Sequence, residues 1–115
     1  MAVPKAVLAT CLAAVGEFLE KRRPPAEYRH QVDMRVDITG SDVVIVSMRP
    51  GFKDKTKMVD HPIAKVKWNN TQKVWQLYWM RADLQWHAYP NLPETSSIRT
   101  ALAEVDLDPA GCFFG

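Results

Sequence analysis

The chain has 115 residues, of which 47% are hydrophobic and 24% are charged, and its formal net charge is +2. These values exclude a disordered chain, and the length predicts one domain that spans residues 1–115. Cys11 and Cys112 stand near opposite ends without metal-ligand spacing, so the sequence indicates neither a disulfide framework nor a zinc site. We therefore expect no metal, no cofactor and a reducing, cytoplasmic setting.

The first predicted element is an amphipathic helix that ends before Pro24. Pro4 stands near its first turn, and the basic residues 21–23 stand near its last turn, where positive charge suits the helix dipole. Acidic residues interrupt the apolar run, so the segment predicts neither a signal peptide nor a membrane span, and we expect no membrane partner. The apolar residues of the inward stripe are Val7, Leu8, Cys11, Leu12, Val15, Phe18 and Leu19.

Two strands are predicted after this helix. Residues 28–38 alternate between apolar and polar side chains, which predicts a strand with one solvated face and places His30 in the core. Residues 43–48 are apolar on both faces, as in a central strand. The register of 43–48 stays open, because two-residue and three-residue turns at Gly40 predict different inward sets. The next segment is a polar connection with three lysines, Lys53, Lys55 and Lys57.

All four tryptophans fall within residues 62–90, which predict two hairpins. Residues 62–68 and 73–81 are rich in β-branched and aromatic side chains and are separated by a polar break, which predicts the first hairpin. A two-residue or a four-residue loop pairs Val66 with Trp75, and both loops give the same two faces.

The second hairpin joins residues 73–81 to residues 84–89. A tight turn at Ala82 and Asp83 pairs Trp79 with Trp86, and side-chain alternation then separates two faces. The predicted core face carries Ala64, Val66, Trp68, Trp75, Leu77, Trp79, Trp86 and Ala88. The opposite face, the predicted working face, carries Lys65, Lys67, Gln76, Tyr78, His87 and Tyr89 beside Ile63, Val74 and Met80.

The C-terminal part predicts a short helix and an apolar tail. Thr95 or Ser96 caps the helix, whose inward residues are Ile98, Ala101, Leu102 and Val105. Phe113 or Phe114 is expected to dock against the domain or against a second copy. The chain is therefore predicted to be an α+β fold with an N-terminal helix, about five antiparallel strands in a meander, and a short C-terminal helix. Both helices are expected on the tryptophan face.

The chain from about Asp33 to Gly115 resembles a small, uncharacterised bacterial family, a domain of unknown function. Three features carry the resemblance: Arg49-Pro50 before a lysine-rich loop, the block from Val74 to Tyr89 with its Trp-x-Leu-Tyr-Trp and Trp-His-x-Tyr patterns, and the terminal Gly-Cys-Phe-Phe-Gly. The resemblance implies an intracellular bacterial protein without assigned chemistry, and it supplies no catalytic residues.

Nucleic-acid binding has a direct physical rationale. Lysines and aromatic side chains on one sheet face resemble a stacking platform with a cationic rim, of the kind that holds single-stranded nucleic acid. The candidate binding residues are Lys65, Lys67, Tyr78, His87 and Tyr89, and Lys53, Lys55 and Lys57 add positive charge from the neighbouring loop. The alternative is a solvated face whose lysines maintain solubility and protect edge strands, and the modest sequence pI of about 8.6 favours this alternative.

A catalytic interpretation rests on Arg81, Asp83 and His87 around one turn, where a carboxylate would orient an imidazole. The sequence contains no nucleophile elbow, phosphate loop or metal constellation to support it. The third interpretation is a protein-interaction module, with self-association through Phe113 and Phe114 or through an exposed strand at 63–68. We expect a non-enzymatic binding or interaction module, with nucleic-acid binding and then catalysis as alternatives.

Overall fold

The computed structural model describes residues 3–114, so Gly115 of the terminal motif lies outside it. Two α-helices flank an antiparallel sheet, and a short 3-10 turn at Ala26–Tyr28 links the first helix to the sheet. The elements in chain order are α1 (Lys5–Arg22), β1 (Asp33–Thr39), β2 (Asp42–Pro50), β3 (Met58–Asn69), β4 (Val74–Met80), β5 (Trp86–Ala88), β6 (Glu94–Thr95) and α2 (Ile98–Leu107). The predicted α+β fold is confirmed.

The sheet is a meander in which strands β1 to β5 follow one another in space as in sequence. The two-residue strand β6 pairs with the first half of β4, on the same edge where β5 pairs with the second half. Every pairing is antiparallel. Short hairpin connections favour this arrangement, because they join neighbouring antiparallel strands without a crossover.

Helix α1 packs one stripe of side chains on the sheet. Cys11, Ala14, Val15 and Phe18 are buried, whereas Leu12 of the predicted stripe is exposed. The chain turns at Arg23, whose guanidinium forms a two-point ion pair with Asp33 at the start of β1. Among residues 3–114, no helix has the length and apolar character needed to cross a membrane.

The two faces of the sheet differ in what covers them. The core face packs against both helices, as predicted, and its cross-strand pairs include Val43 with Val66 and Trp68 with Trp75. The indole rings of Trp68 and Trp75 lie 5.2 Å apart, centroid to centroid. We call the opposite surface the open face, because the helical residues of the core cluster pack on the other side.

The first hairpin has the predicted faces but different partners. Val66 pairs with Leu77 and not with Trp75, because the four loop residues are 70–73 and not the predicted polar break at 69–72. A shift of two residues leaves every side chain on its original face. Lys73 closes this loop with a φ of 58°, in the left-handed region.

The second hairpin differs from the prediction by one residue, which changes the faces. The loop contains three residues, and Leu84 adopts a φ of 62°. Met80 therefore pairs with Trp86, and Trp79 pairs with His87. Because strand side chains alternate, Trp86 and Ala88 lie on the open face, while His87 lies on the core face. The prediction that Trp86 belongs to the core was wrong.

Two further predictions around β1 are settled by the backbone. The alternating residues before Asp33 form the 3-10 turn and a hydrogen-bonded bend, in which the N–H groups of Gln31 and Val32 donate to the Tyr28 carbonyl. His30 is consequently exposed and not a core histidine. The turn between β1 and β2 consists of Gly40 and Ser41, with Gly40 at a φ of 60°, so the register that the sequence left open places Val43 and Ile45 inward.

Tyr89 belongs to the core and not to the predicted working face. It is fully buried, its ring lies 4.9 Å from that of Phe113, and its hydroxyl donates a 2.7 Å hydrogen bond to Glu104. Burial, and after it the bond to Glu104, raises the pKa of Tyr89 to about 12. The tyrosine thus connects the sheet to α2 and to the C-terminal tail.

The C-terminal tail docks on its own chain. Asp108 ends α2 in the left-handed conformation, and its carboxylate accepts hydrogen bonds from the N–H groups of Phe113 and Phe114. The Arg22 guanidinium lies 3.9 Å above the Phe114 ring. At the other end of α2 the cap is Ser97, whose hydroxyl accepts from the N–H of Thr100, and not Thr95 or Ser96 as predicted.

Replacement of Tyr89 by alanine should destabilise the protein far more than the same replacement of Tyr78. Loss of a fully buried aromatic side chain costs about 3–5 kcal/mol, and the half-buried Tyr78 forfeits only part of that. Urea unfolding of Tyr89→Ala and Tyr78→Ala, with a common slope, measures both losses. Equal losses would contradict the register of β5.

Tyr89 should also make stability depend on alkaline pH. Its folded-state pKa of about 12 exceeds the unfolded value of about 10, so the folded state holds the proton more tightly. This contribution is complete below about pH 10 and is lost as pH rises toward the folded pKa. The difference in unfolding free energy between wild type and Tyr89→Phe should therefore shrink over that range. Tyr28→Phe, at an exposed phenol, serves as control and should show no comparable change.

Candidate binding surface on the open sheet face

A lysine and two aromatic rings meet on the open face. The Lys65 ammonium lies 5.0 Å from the Tyr78 ring centroid and 5.4 Å from the Trp86 ring centroid, within the range of cation–π attraction. We call Lys65, Tyr78 and Trp86 the aromatic platform. Tyr78 pairs directly with Lys65, and Trp86 stands diagonally across from Tyr78 on β5. Three neighbouring strands therefore contribute one side chain each.

The cross-strand neighbours of Lys65 leave its charge uncompensated. Lys65 stands between Val44 and Tyr78, and no acidic side chain of residues 3–114 forms an ion pair with it. Lys67, two residues further, stands directly across from Asp42 and is exposed. Of the two lysines predicted for this face, Lys65 is thus the one with no acidic residue directly across from it on either neighbouring strand.

In the half of the open face around β1, the charged side chains are already paired with one another. The Arg35 guanidinium makes two hydrogen bonds to the Asp60 carboxylate, at 3.0 and 2.8 Å, and contacts Asp37 at 3.0 Å. These bonds raise the pKa of Arg35 above its ordinary value, and the bond to Arg35 lowers the pKa of Asp60. Both carboxylates and the guanidinium are already paired, so an anionic ligand gains more at Lys65 than here.

A cleft of about 290 Å³ opens at the turn end of this face. Trp68 lines it together with a lysine, amide and hydroxyl residues, and we call it the polar cleft after these polar residues. Its lining includes Ser41, Lys67, Asn69, Thr71 and Gln76. Asn69 Oδ1 accepts the backbone N–H groups of Thr71 and Gln72, which fixes the turn that forms the cleft wall. Amides and a cation suit the polar edges of a base and a phosphate.

Lys53, Lys55 and Lys57 stand apart from the platform. All three are exposed in the loop between β2 and β3, at the end of the sheet that carries the turn after β4. Two of the residues predicted for the binding face do not belong to it, because Tyr89 is buried in the core and His87 is turned to the core side. The surface that remains combines the platform with Lys67 and the loop lysines.

Of the three residues in the catalytic interpretation, the fold places His87 and Asp83 in contact, but not Arg81. His87 Nε2 lies 2.8 Å from Asp83 Oδ2, and Asp83 Oδ1 accepts the N–H of Gln85 at 2.9 Å. The bond from Gln85 and then the bond with His87 lower the pKa of Asp83. The Arg81 guanidinium lies 5.5 Å from the Trp79 ring centroid. Asp83 thus organises a turn, and the geometry joins two of the three residues.

Two cavities on the helix side of the sheet lie away from that turn. One, of about 400 Å³, lies between α1 and the tryptophans Trp68 and Trp75, and another of about 240 Å³ lies between α1 and α2. Neither these two nor the polar cleft is lined by Arg81, Asp83 or His87. Among residues 3–114, no group of three histidine, cysteine or carboxylate side chains is placed to bind a metal.

The surfaces predicted for self-association are engaged within the chain. The stretch 63–68 lies in β3 between β2 and β4, so both of its hydrogen-bonding edges are used, and the expectation of an exposed strand there was wrong. Phe113 is buried, and Phe114 is half-buried beneath Arg22.

Sequence reasoning missed two aromatic residues on the surface. The sequence pattern places Trp86 in the core because the predicted loop before it is one residue shorter than the observed loop. Phe52 has no predicted role, although a phenylalanine among lysines is itself an unusual pattern, and its side chain is 97% exposed.

Comparison with known proteins identifies the family. A family model described as "Domain of unknown function (DUF3024)" matches residues 3–115, including α1. This chain therefore belongs to the DUF3024 family. Neither a curated protein nor a solved structure matches the chain at a significant level.

Asp83 should act on the turn chiefly through its hydrogen bond to Gln85. Asp83→Ala removes that acceptor and should cost about 1 kcal/mol of stability and speed hydrogen exchange of the Gln85 amide. Asp83→Asn keeps an acceptor while removing the charge, so its Gln85 amide should exchange at nearly the wild-type rate. Equal acceleration in both variants would show that the charge facing His87, and not the backbone bond, holds the turn.

Proposed function

We propose that this protein is a non-enzymatic binding module whose open sheet face binds single-stranded nucleic acid. The observation that carries the proposal is the Lys65 ammonium over both the Tyr78 and Trp86 rings, on the sheet face opposite the helices. Single-strand binding sites combine aromatic rings for base stacking with cations for the backbone, because every base has a π-face and every linkage a negative charge.

The arrangement allows the lysine to exchange one partner for another. In the free protein the ammonium covers two half-buried rings, which limits their contact with water. A bound strand supplies a phosphate for the ammonium and a base for each ring. The lysine chain is flexible, so this exchange requires no change in the backbone of the sheet.

Neighbouring features extend the same chemistry. The polar cleft offers Lys67, Gln76 and Asn69 to base edges and phosphates at one end of the platform. At the other end, Lys53, Lys55 and Lys57 add exposed positive charge. The platform therefore lies between a cleft lined by Lys67 and a loop with three exposed lysines, although the whole chain carries a net charge of only +2.

Self-association and catalysis have less support. Phe113 is buried within the chain and 63–68 is an internal strand, so the features proposed for a dimer are occupied. The His87–Asp83 pair lies on an exposed turn outside the described cavities. We further propose a cytoplasmic setting, supported by Cys11, which packs unpaired in the core.

The platform should account for most of the affinity for a strand of about 12 nucleotides. Tyr78→Ala and Trp86→Ala each remove a stacking surface worth about 1–3 kcal/mol, so each should weaken binding roughly tenfold or more. Fluorescence anisotropy with a labelled oligonucleotide at low salt measures the loss. Tyr28→Ala is the matched control, because Tyr28 is an exposed tyrosine on the turn before β1 and outside the platform. No binding by wild type, or equal loss in both tyrosine variants, would reject the proposal.

The lysines should determine the salt dependence of that binding. Each phosphate neutralised on a single strand contributes about 0.7 to the slope of log affinity against log salt. Lys65→Ala should lower the slope by about that amount, and replacement of Lys53, Lys55 and Lys57 together should lower it by about 2. Lys5→Ala, at the start of α1, should leave it unchanged. A slope equal to wild type in the triple variant would remove the loop lysines from the site.

A further inference from the structure

The hairpin formed by β2 and β3 extends beyond the rest of the sheet. Strand β1 stops pairing at Met48 and β4 stops pairing at Ala64, whereas β2 and β3 continue together to the pair of Pro50 with Met58. We call residues 49–59 the ribbon. No third strand within residues 3–114 supports it, so its side chains are accessible on both faces.

The tip of the ribbon is held in one conformation by hydrogen bonds. Gly51 N–H donates to the Lys57 carbonyl at 2.8 Å, and the Asp54 carboxylate accepts from the backbone N–H and the hydroxyl of Thr56. These bonds to Thr56 lower the pKa of Asp54. A side chain at Gly51 would come within 2.8 Å of the Asp54 carbonyl oxygen, so the loop requires glycine there.

This ordered tip exposes apolar side chains beside basic ones. Phe52 is 97% exposed, and Met58 and Val59 are each 41% exposed. Burial of a phenylalanine side chain strongly favours folding, but the exposed ring of Phe52 contributes no such stabilisation. The same eleven-residue ribbon carries four basic residues, Arg49, Lys53, Lys55 and Lys57, against one acid, Asp54.

We propose that Phe52 is a third stacking residue, after Tyr78 and Trp86, for the strand that occupies the aromatic platform, so that the ligand is an extended single strand and not a nucleotide or a short oligonucleotide. This inference rests on the proposed function. A polyanion is the partner that the charge favours, because the ribbon that carries the exposed ring has four basic residues against one acid, Asp54, whose carboxylate is bonded to Thr56.

The length of the ligand follows from the geometry of the strands. Trp86 pairs with Met80 at the end of the sheet where the ribbon begins, close to the pair of Val46 with Pro62. Phe52 lies six residues beyond Val46, two of them past the end of β2 at Pro50, so the two positions are at most about 20 Å apart at the rise of a β-strand. A strand that keeps its bases stacked advances by about 3.4 Å per nucleotide, so up to about six nucleotides lie between the two contacts. A strand of about eight or more nucleotides reaches both.

Two ligand lengths test this inference. Binding of a trinucleotide is measured by quenching of Trp86 fluorescence, and the loss of that signal in Trp86→Phe identifies its source. Binding of a strand of about 12 nucleotides is measured by fluorescence anisotropy. Phe52→Ala should weaken the longer strand roughly tenfold and leave the trinucleotide unchanged. Phe52→Trp should retain the affinity. Tyr28→Ala is the matched control, because Tyr28 is an exposed aromatic residue on the turn before β1 and lies outside both the ribbon and the platform.

The outcomes separate this inference from the function on which it rests. If wild type binds neither ligand, the proposed function fails. If both bind but Phe52→Ala changes neither, or changes both equally, the platform stands and the role of Phe52 is rejected. If Phe52→Ala leaves nucleic-acid binding intact but abolishes binding to vesicles that contain phosphatidylserine, the ribbon is a membrane contact and the inference is overturned. An unfolding free energy of Phe52→Ala equal to that of wild type confirms that the variant is folded.

Discussion

The backbone conformation of Leu84 determines which aromatic side chains lie in the core. With a φ of 62°, this residue completes a three-residue loop between β4 and β5, and a two-residue loop would exchange the faces of every residue in β5. Tyr89 would then leave the core and Trp86 would enter it. The conformation is unfavourable for a leucine, so the contacts that Tyr89 and Trp86 make on their respective faces must hold it.

On the core side, Tyr89 connects three segments that are distant in sequence. Its hydroxyl bonds to Glu104 on α2, and its ring packs on Phe113 of the tail. The tail reaches that position because Asp108 ends α2 in the left-handed conformation and binds the N–H groups of Phe113 and Phe114. A buried phenol requires such a partner for its hydroxyl. The register of one short strand is therefore coupled to the whole C-terminal region.

Sequence patterns predicted the elements well and their registers less well. The helix before Pro24, the meander and the inward face of β3 and β4 follow from hydrophobic periodicity, which depends on many residues at once. The faces of β5 depend on one loop residue, and Leu84 is neither glycine nor asparagine, the residues that mark a left-handed position. Residues 28–32 alternate like a strand, yet the Tyr28 carbonyl accepts two N–H groups of a tight bend. Local hydrogen bonding there overrides the side-chain pattern.

The candidate site was predicted in part for the same reason. Lys65, Lys67 and Tyr78 lie on β3 and β4, whose faces were robust to loop length, and they occupy the open face as expected. The predicted two-residue loop reverses the faces of β5, so the sequence places Tyr89 and His87 on the open face and Trp86 in the core, opposite to the structure. The contact between Asp83 and His87 depends on how the same loop folds, so the sequence left it undecided.

The distribution of ion pairs explains why a chain with little net charge presents a basic end. Three acids near the C-terminus bind groups of the same chain: Asp106 pairs with Lys21 and Arg22 between the helices, Glu104 binds Tyr89, and Asp108 holds the tail. On the open face, the Arg35 guanidinium similarly donates hydrogen bonds to the carboxylates of Asp37 and Asp60. Within residues 3–114, no acidic side chain forms an ion pair with Lys65 or with the ribbon lysines, and Asp54 of the ribbon is bonded to Thr56. Because exposed charges act over about 10 Å at moderate salt, the local excess and not the net charge determines what this end attracts.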